Sequence, residues 1–298
     1  DAIYTGSTIN SRAVVFDNSP DVPVTTESST QSENSIFVDP NDNLVALNSN
    51  NSTPANGGSV YGADYLYTED FAATWDGSIN GPNGSNSGDP AACIGTDGRW
   101  YVGYISNGGQ GVSYSDDQGD SWTKVQVAGA PGSGWSDLAD KNHMWIDAKQ
   151  GSPYENYLYN AWTDFGGPFD NEIALQRSMD RGETWDTKVN LSGAINTSGH
   201  CQGVNLSTGP NGEAYAVWSI YDNWPNDENS MGMARSFDGG STWEPAFRII
   251  DNIRGIRNSG VPQNMRVNSF PVMAVDASDG PNSGTIYVVW TNTGVPGT

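Results

Sequence analysis

The sequence predicts an all-β protein, a β-propeller of four-stranded antiparallel blades, on three observations. First, 36 of 298 residues are glycine, Asn, Asp, Ser and Thr are abundant, and leucine and lysine are scarce. This is material for short strands and polar turns rather than helices. Second, aromatic or β-branched runs recur in order, at Leu44 to Asn48, Trp100 to Tyr104, Leu158 to Trp162, Ala214 to Trp218 and Ile286 to Trp290, their last residues 56, 58, 56 and 72 positions apart. A fixed period of this length is the mark of stacked repeats, each burying its apolar face against the next. Third, a turn motif follows the first four runs, in register with them.

Each repeat can be read strand by strand. Short apolar segments, Ile36 to Val38, Met144 to Ile146, Val204 to Leu206 and Met273 to Val275, supply inner strands. Turns such as Asp97-Gly98 and Asn211-Gly212 lead from an inner strand into the aromatic run, as tight hairpins require. A third strand then ends in Ser115-Asp116-Asp117-Gln118-Gly119-Asp120-Ser121-Trp122, with further copies at Ser178 to Trp185 and Ser236 to Trp243 and a degenerate one at Thr68 to Trp75, where Ala72 replaces the glycine. The Asp can accept its own loop's N–H groups, Gly permits a left-handed backbone, and Trp packs beneath.

These four segments resemble the Asp-box, or bacterial neuraminidase repeat, of sialidases and other secreted β-propellers. The resemblance covers residues from about 34 onward. It implies that Asp70, Asp117, Asp180 and Asp238 are structural turn residues on the face opposite the ligand. The expected blades are 34–80, 90–128, 142–190 and 202–251, with a partial fifth from Asn268. Residues 1–33, including strand-like Arg12 to Phe16 and Val22 to Thr25, form an N-terminal segment. Either that segment closes the ring or the chain belongs to a six- or seven-bladed propeller, which is the expectation adopted.

Composition restricts partners. With 13 basic and 35 acidic side chains and a net charge of −22, nucleic acid and anionic membranes are unsuitable, and no apolar stretch is long enough to span a bilayer. A secreted or surface-exposed protein is expected. Cys93 and Cys201 make no disulfide framework and are read as separate buried thiols.

If the box turns occupy one face, the other carries the loops that open the inner strands. The residues expected around the channel mouth are Glu33-Asn34, Asp89-Pro90, Asn142-His143, Gln202-Gly203 and Asn268-Ser269, either as a polar site or as caps of strand ends. Glu33 or Asp89 is the candidate general acid, and His143 joins them as a candidate for proton transfer, with a structural hydrogen bond as its other reading. Arg177 and Arg235 occupy repeat positions beside the boxes, which leaves Arg254, Arg257 and Arg266 to hold an acidic sugar. Trp135, Tyr221 and Trp224 are placed to stack on sugar rings. Asp222, Asp227 and Glu228 offer oxygen ligands to calcium, although the chemistry requires no cofactor. The expected function is glycan recognition by a sialidase-like propeller, as a glycoside hydrolase of acidic sugars or as a non-catalytic binding or adhesion module.

Overall fold

Because turns interrupt the chain every few residues, each strand pairs with its neighbour in sequence. The computed structural model describes residues 21–53, 62–196, 199–257 and 267–293, and among these it contains strands and no helix. The first sheet holds β1 (Gln31–Val38), β2 (Ala46–Ser52), β4 (Tyr65–Thr68) and β5 (Asp76–Ser78), with the short β3 (Gly62–Ala63) added to β2. The second runs β6 (Ala91–Ile94), β7 (Trp100–Ser106), β8 (Gly109–Ser115) and β9 (Thr123–Ala128). The third runs β10 (Leu138–Ile146), β11 (Leu158–Phe165), β12 (Ile173–Ser178) and β13 (Val189–Asn190). The fourth runs β14 (His200–Thr208), β15 (Ala214–Tyr221), β16 (Ser230–Ser236) and β17 (Phe247–Asp251), and β18 (Val272–Val275) pairs with β19 (Ile286–Val289) in a fifth. Every pairing is antiparallel. This is the β-propeller the repeats predict.

Three strand starts and one expected strand differ from expectation. The inner strands β1, β10 and β14 start before residues 34, 142 and 202, because each pairs on through a bulge instead of stopping there. Val22 to Thr25 forms no strand; Pro23 within it has no N–H to donate to a ladder. Arg12 to Phe16 lies outside the described residues.

The blades adhere through apolar layers. Trp100, Val102 and Tyr104 pack with Leu47 and Ile94; Cys93, Trp162 and Met144 join the second and third blades; Cys201, Leu206 and Trp218 join the third and fourth. Trp100, Trp162 and Trp218 are completely buried, and removing roughly 150–250 Å² of each from water makes them large contributors to blade cohesion. Both cysteines are free and buried. Burial pushes the Cys201 thiol up to about 12, which leaves it inert.

The four turns share one hydrogen-bond set. In the second blade Ser115 Oγ donates to Asp117 Oδ1 (2.8 Å), Gly119 N–H donates to Ser115 Oγ (2.8 Å), and Ser121 donates its N–H and hydroxyl to the two Asp117 oxygens (2.8 and 2.6 Å). Thr68, Asp70 and Thr74 repeat it, as do Ser178, Asp180 and Thr184, and Ser236, Asp238 and Thr242. The buried member is the first hydroxyl, Ser115, Ser178 or Ser236, whereas Asp70, Asp117 and Asp180 face solvent and Asp238 is half-buried. The aspartates therefore staple the turn from outside rather than supply a buried acceptor.

This geometry makes two expectations measurable. Ala72 stands where the other copies have Gly119, Gly182 and Gly240, and its φ of +63° is a conformation an L-residue adopts at a cost. Ala72→Gly is expected to raise stability by up to about 1 kcal/mol, read as a higher urea midpoint. Hydrogen bonds, led by those from Thr74 and Ser121, hold Asp70 and Asp117 below their ordinary value; at Asp180 and Asp238 desolvation is the largest single influence and raises the carboxyl, but the hydrogen bonds, led by those from Thr184 and Thr242, together outweigh it. A carboxyl lowered by folding contributes stability above its unfolded value, and that contribution disappears as pH falls through the folded one. Burial raises Asp64 and Asp147, which act in the opposite sense. The test is accordingly a difference: the stability gap between wild type and Asp238→Asn should close as pH falls below the carboxylate range.

Candidate functional site

The site begins with a repeated irregularity. In β1, β10 and β14 the register slips between Ser32 and Ser35, Asp140 and His143, and Gln202 and Asn205, so that two inner-strand residues oppose one on the aromatic strand. The second blade does the same ahead of β6, where Ile105 bonds back to Gly88 while Gly103 pairs with Ala91. The first bulge residue has positive φ in all four blades: Glu33 +56°, Asp89 +56°, Lys141 +52° and Gly203 +72°. Bulges redirect side chains. Here three of those redirected are charged, and they meet.

Glu33, Asp89 and Lys141 line a cavity of about 430 Å³ with Asp140, Phe165, Gln202, Trp224, Arg257, Val267, Asn268 and Phe270. The volume lies within the range of small-molecule sites. Lys141 Nζ sits 3.3 Å from Glu33 Oε2, and Lys141 N–H donates to Asp89 Oδ2 at 2.8 Å. Asn51 joins the same pair, its Nδ2 donating to Glu33 Oε2 (3.2 Å) and its Oδ1 accepting from Asp89 N–H (2.8 Å). Burial raises the Glu33 carboxyl above its ordinary value; the Lys141 charge pulls it back, and Asp89, by hydrogen bond and by charge, pushes it up again. Glu33 is a carboxylic acid held protonated to higher pH than a free side chain, the property a general acid needs. Gln202 Nε2 donates to Asp140 Oδ2 at 3.2 Å from the adjoining wall.

The opposite wall is a layered stack. The His200 ring lies 3.9 Å from that of Trp224, and the Arg257 guanidinium lies 4.2 Å from the Trp224 ring. Arg257 Nε donates to Pro225 O (3.1 Å) and Nη1 to Asn268 Oδ1 (3.2 Å). Beneath, buried Glu228 accepts from Tyr221 OH (2.9 Å) and Ser269 N–H (2.8 Å), tying the fourth blade to the start of the fifth. Arg99, Arg177, Arg181, Arg235 and Arg248 are all ion-paired to carboxylates, whereas Arg257 has no such pair among the described residues. Among the described residues its guanidinium is held on the cavity wall by a carbonyl and an amide oxygen instead.

Several expected residues are placed elsewhere. His143 is not at the mouth: the bulge puts Lys141 there and turns His143 between blades, where its Nδ1 accepts Leu206 N–H at 3.1 Å and burial pushes it down to about 4. Trp135 is fully exposed and does not line the cavity. Tyr221 is completely buried, so it supports Trp224 instead of meeting a sugar ring. Arg254 is exposed, its backbone bonded to Asn292 and Thr293, and does not line the cavity; Arg266 lies outside the described residues. Asp222 is paired with Arg248 at 2.6 Å, Glu228 is occupied as above, and with Asp227 they form no metal-ligating group among the described residues. Asp140, Lys141 and Phe270 are cavity residues the sequence does not single out, whereas Gln202 and Asn268 line the cavity as expected.

No protein-family model matches this sequence, and no curated protein matches it either. Solved structures do resemble it. The α-L-arabinanase of Penicillium chrysogenum, complexed with arabinobiose, aligns at a TM-score of 0.56 and 13% identity over 89% of this chain and 81% of its own. An α-L-arabinofuranosidase of Fusarium graminearum, in complex with an iminosugar inhibitor, aligns at 0.56 and 15% over 87% and 74%. The NanB sialidase of Streptococcus pneumoniae aligns at 0.54 and 9% over 87% of this chain and 56% of its own. At these identities the likeness concerns the fold.

Proposed function

We propose that this chain is a secreted or surface glycan-acting propeller of the sialidase-like superfamily, its four turns being Asp-boxes, and that its channel mouth hydrolyses a glycosidic bond with Glu33 as general acid. The observation that carries the reading is the meeting of Glu33, Asp89 and Lys141 at one repeat position, with the Glu33 carboxyl raised above its ordinary value by burial beside a second carboxyl. Three solved structures of like fold are described as an arabinanase, an arabinofuranosidase and a sialidase, and two of them hold a disaccharide or an iminosugar. In this scheme Glu33 protonates the departing glycosidic oxygen. Asp140, on the adjoining wall, supplies the second carboxyl that such hydrolysis uses, as nucleophile or as base for water. Arg257 donates to a carboxylate or to neighbouring hydroxyls of the sugar.

The test is turnover of a panel of glycans and aryl glycosides, including sialosides, uronides and neutral pentosans, by wild type and Glu33→Gln. Product release lost in the variant supports hydrolysis at this mouth. Retention of a glycan without product makes the mouth a binding site only, and neither product nor retention on any member defeats the reading.

A further inference from the structure

The inner strands align without gaps from the bulge to the hairpin: Glu33 to Val38, Asp89 to Ile94, Lys141 to Ile146, Gly203 to Thr208 and Phe270 to Val275. The leading residue of each stands two places ahead of the first regular pair, Ser35 with Ser49, Ala91 with Gly103, His143 with Ala161, Asn205 with Val217 and Val272 with Val289. In four blades it has positive φ, which glycine adopts freely and other residues rarely do. Blade four uses glycine, and a Cβ there would come within 2.2 Å of the Phe270 ring. Blades one, two and three instead keep charged side chains in the disfavoured conformation.

Lys141 touches both of the other charged members, and by different atoms. Its ammonium reaches Glu33 and its backbone N–H reaches Asp89. We propose that Lys141 is the positioning residue of the carboxyl pair, holding Glu33 and Asp89 from two blades as one unit anchored on a third. The inference rests on the reading of Glu33 as proton donor for its catalytic meaning, but not for its physical test. Among the described residues, the charged groups around Glu33 are Lys141 and Asp89 in contact, with Asp140 and Arg257 lining the same cavity. Removing the ammonium removes the attraction that favours ionised Glu33, so its proton should be held to higher pH.

The two contacts can be separated. Lys141→Gly deletes the ammonium, suits the left-handed backbone, and retains the N–H to Asp89. Lys141→Asn is a second neutral variant whose side chain tolerates that backbone, and Lys141→Arg restores the charge. The measurement is the Glu33 titration in the full chain, followed by NMR of carboxyl-labelled glutamate and assigned with Glu33→Gln. The expected result is an upward shift of the midpoint in Lys141→Gly and Lys141→Asn and a return toward wild type in Lys141→Arg. Unchanged or lowered midpoints in the neutral variants, or an equal rise in all three, would overturn the proposal. On any glycan that is turned over, the alkaline limb of the pH profile should move up in Lys141→Gly, because a general acid fails only as it loses its proton. Absence of turnover in wild type would sink the hydrolase reading and leave the titration still decisive for Lys141.

Discussion

Replacing Glu33 with glutamine should reduce turnover of a cleaved glycan by roughly 10²–10⁴-fold, the usual worth of a positioned proton donor, and leave the folded state intact. The side chain keeps its size, and an amide in its place cannot deliver a proton to a departing oxygen. Residue 33 lies at the end of the first blade remote from its stapled turn, so no core contact is lost. Asp89→Asn should have the gentler effect of letting Glu33 ionise more readily, since Asp89 raises it both by charge and by hydrogen bond. The alkaline limb should then move to lower pH, opposite to the shift expected for Lys141→Gly. Initial rates across pH for the three variants, with melting curves beside them, check both the size and the sign.

Arg177→Met should destabilise the protein by about 2–4 kcal/mol while leaving the mouth untouched. Arg177 is 7% exposed and works between blades: Nε and Nη2 hold Asp186 Oδ2 (2.9 and 2.6 Å), and Nη1 donates to Gly239 O (2.7 Å) and Ser241 Oγ (3.1 Å) in the turn of the fourth blade. Methionine keeps the apolar stem and loses every donor, which strands a carbonyl and a carboxylate that is itself 40% exposed. That exposure holds the cost below that of a fully buried pair. Arg99 has the same role at the preceding interface, reaching Arg181 O at 2.9 Å. Urea unfolding supplies the measurement, and Arg235→Met is the control: Arg235 and its partner Glu244 are both exposed, so its loss should cost less.

How much of this was legible in the sequence follows from what each feature depends on. Alternation and the turn motif are local, so the aromatic strands and the residues around Asp117, Asp180 and Asp238 could be read directly. The identity of Arg177 and Arg235 as repeat positions was likewise visible beside Ser178 and Ser236. The mouth was only partly legible: Glu33 and Asp89 line it, and so do Gln202 and Asn268. A bulge, however, exchanges the face on which a residue falls, and nothing local near Lys141-Asn142-His143 announces one. His143 was therefore expected where Lys141 stands. The signal that would have corrected it is the gap-free alignment of the inner strands, which puts Lys141 beneath Glu33 and Asp89. Trp135, Tyr221 and Trp224 show a different limit. Composition marks all three as suited to sugars, yet only packing reveals that Trp135 is outside the cavity, Tyr221 is buried, and Trp224 lies close to both His200 and Arg257.

The central claim is that a glycan is cut between the acid pair and the Arg257 wall. A crystal structure of Glu33→Gln soaked with an oligosaccharide that wild type hydrolyses tests it most directly. The account predicts sugar density across the mouth, with a glycosidic oxygen about 3 Å from the amide of residue 33 and a hydroxyl or carboxylate on Arg257. An oligosaccharide bound elsewhere on the propeller, with no density at this mouth, would contradict it.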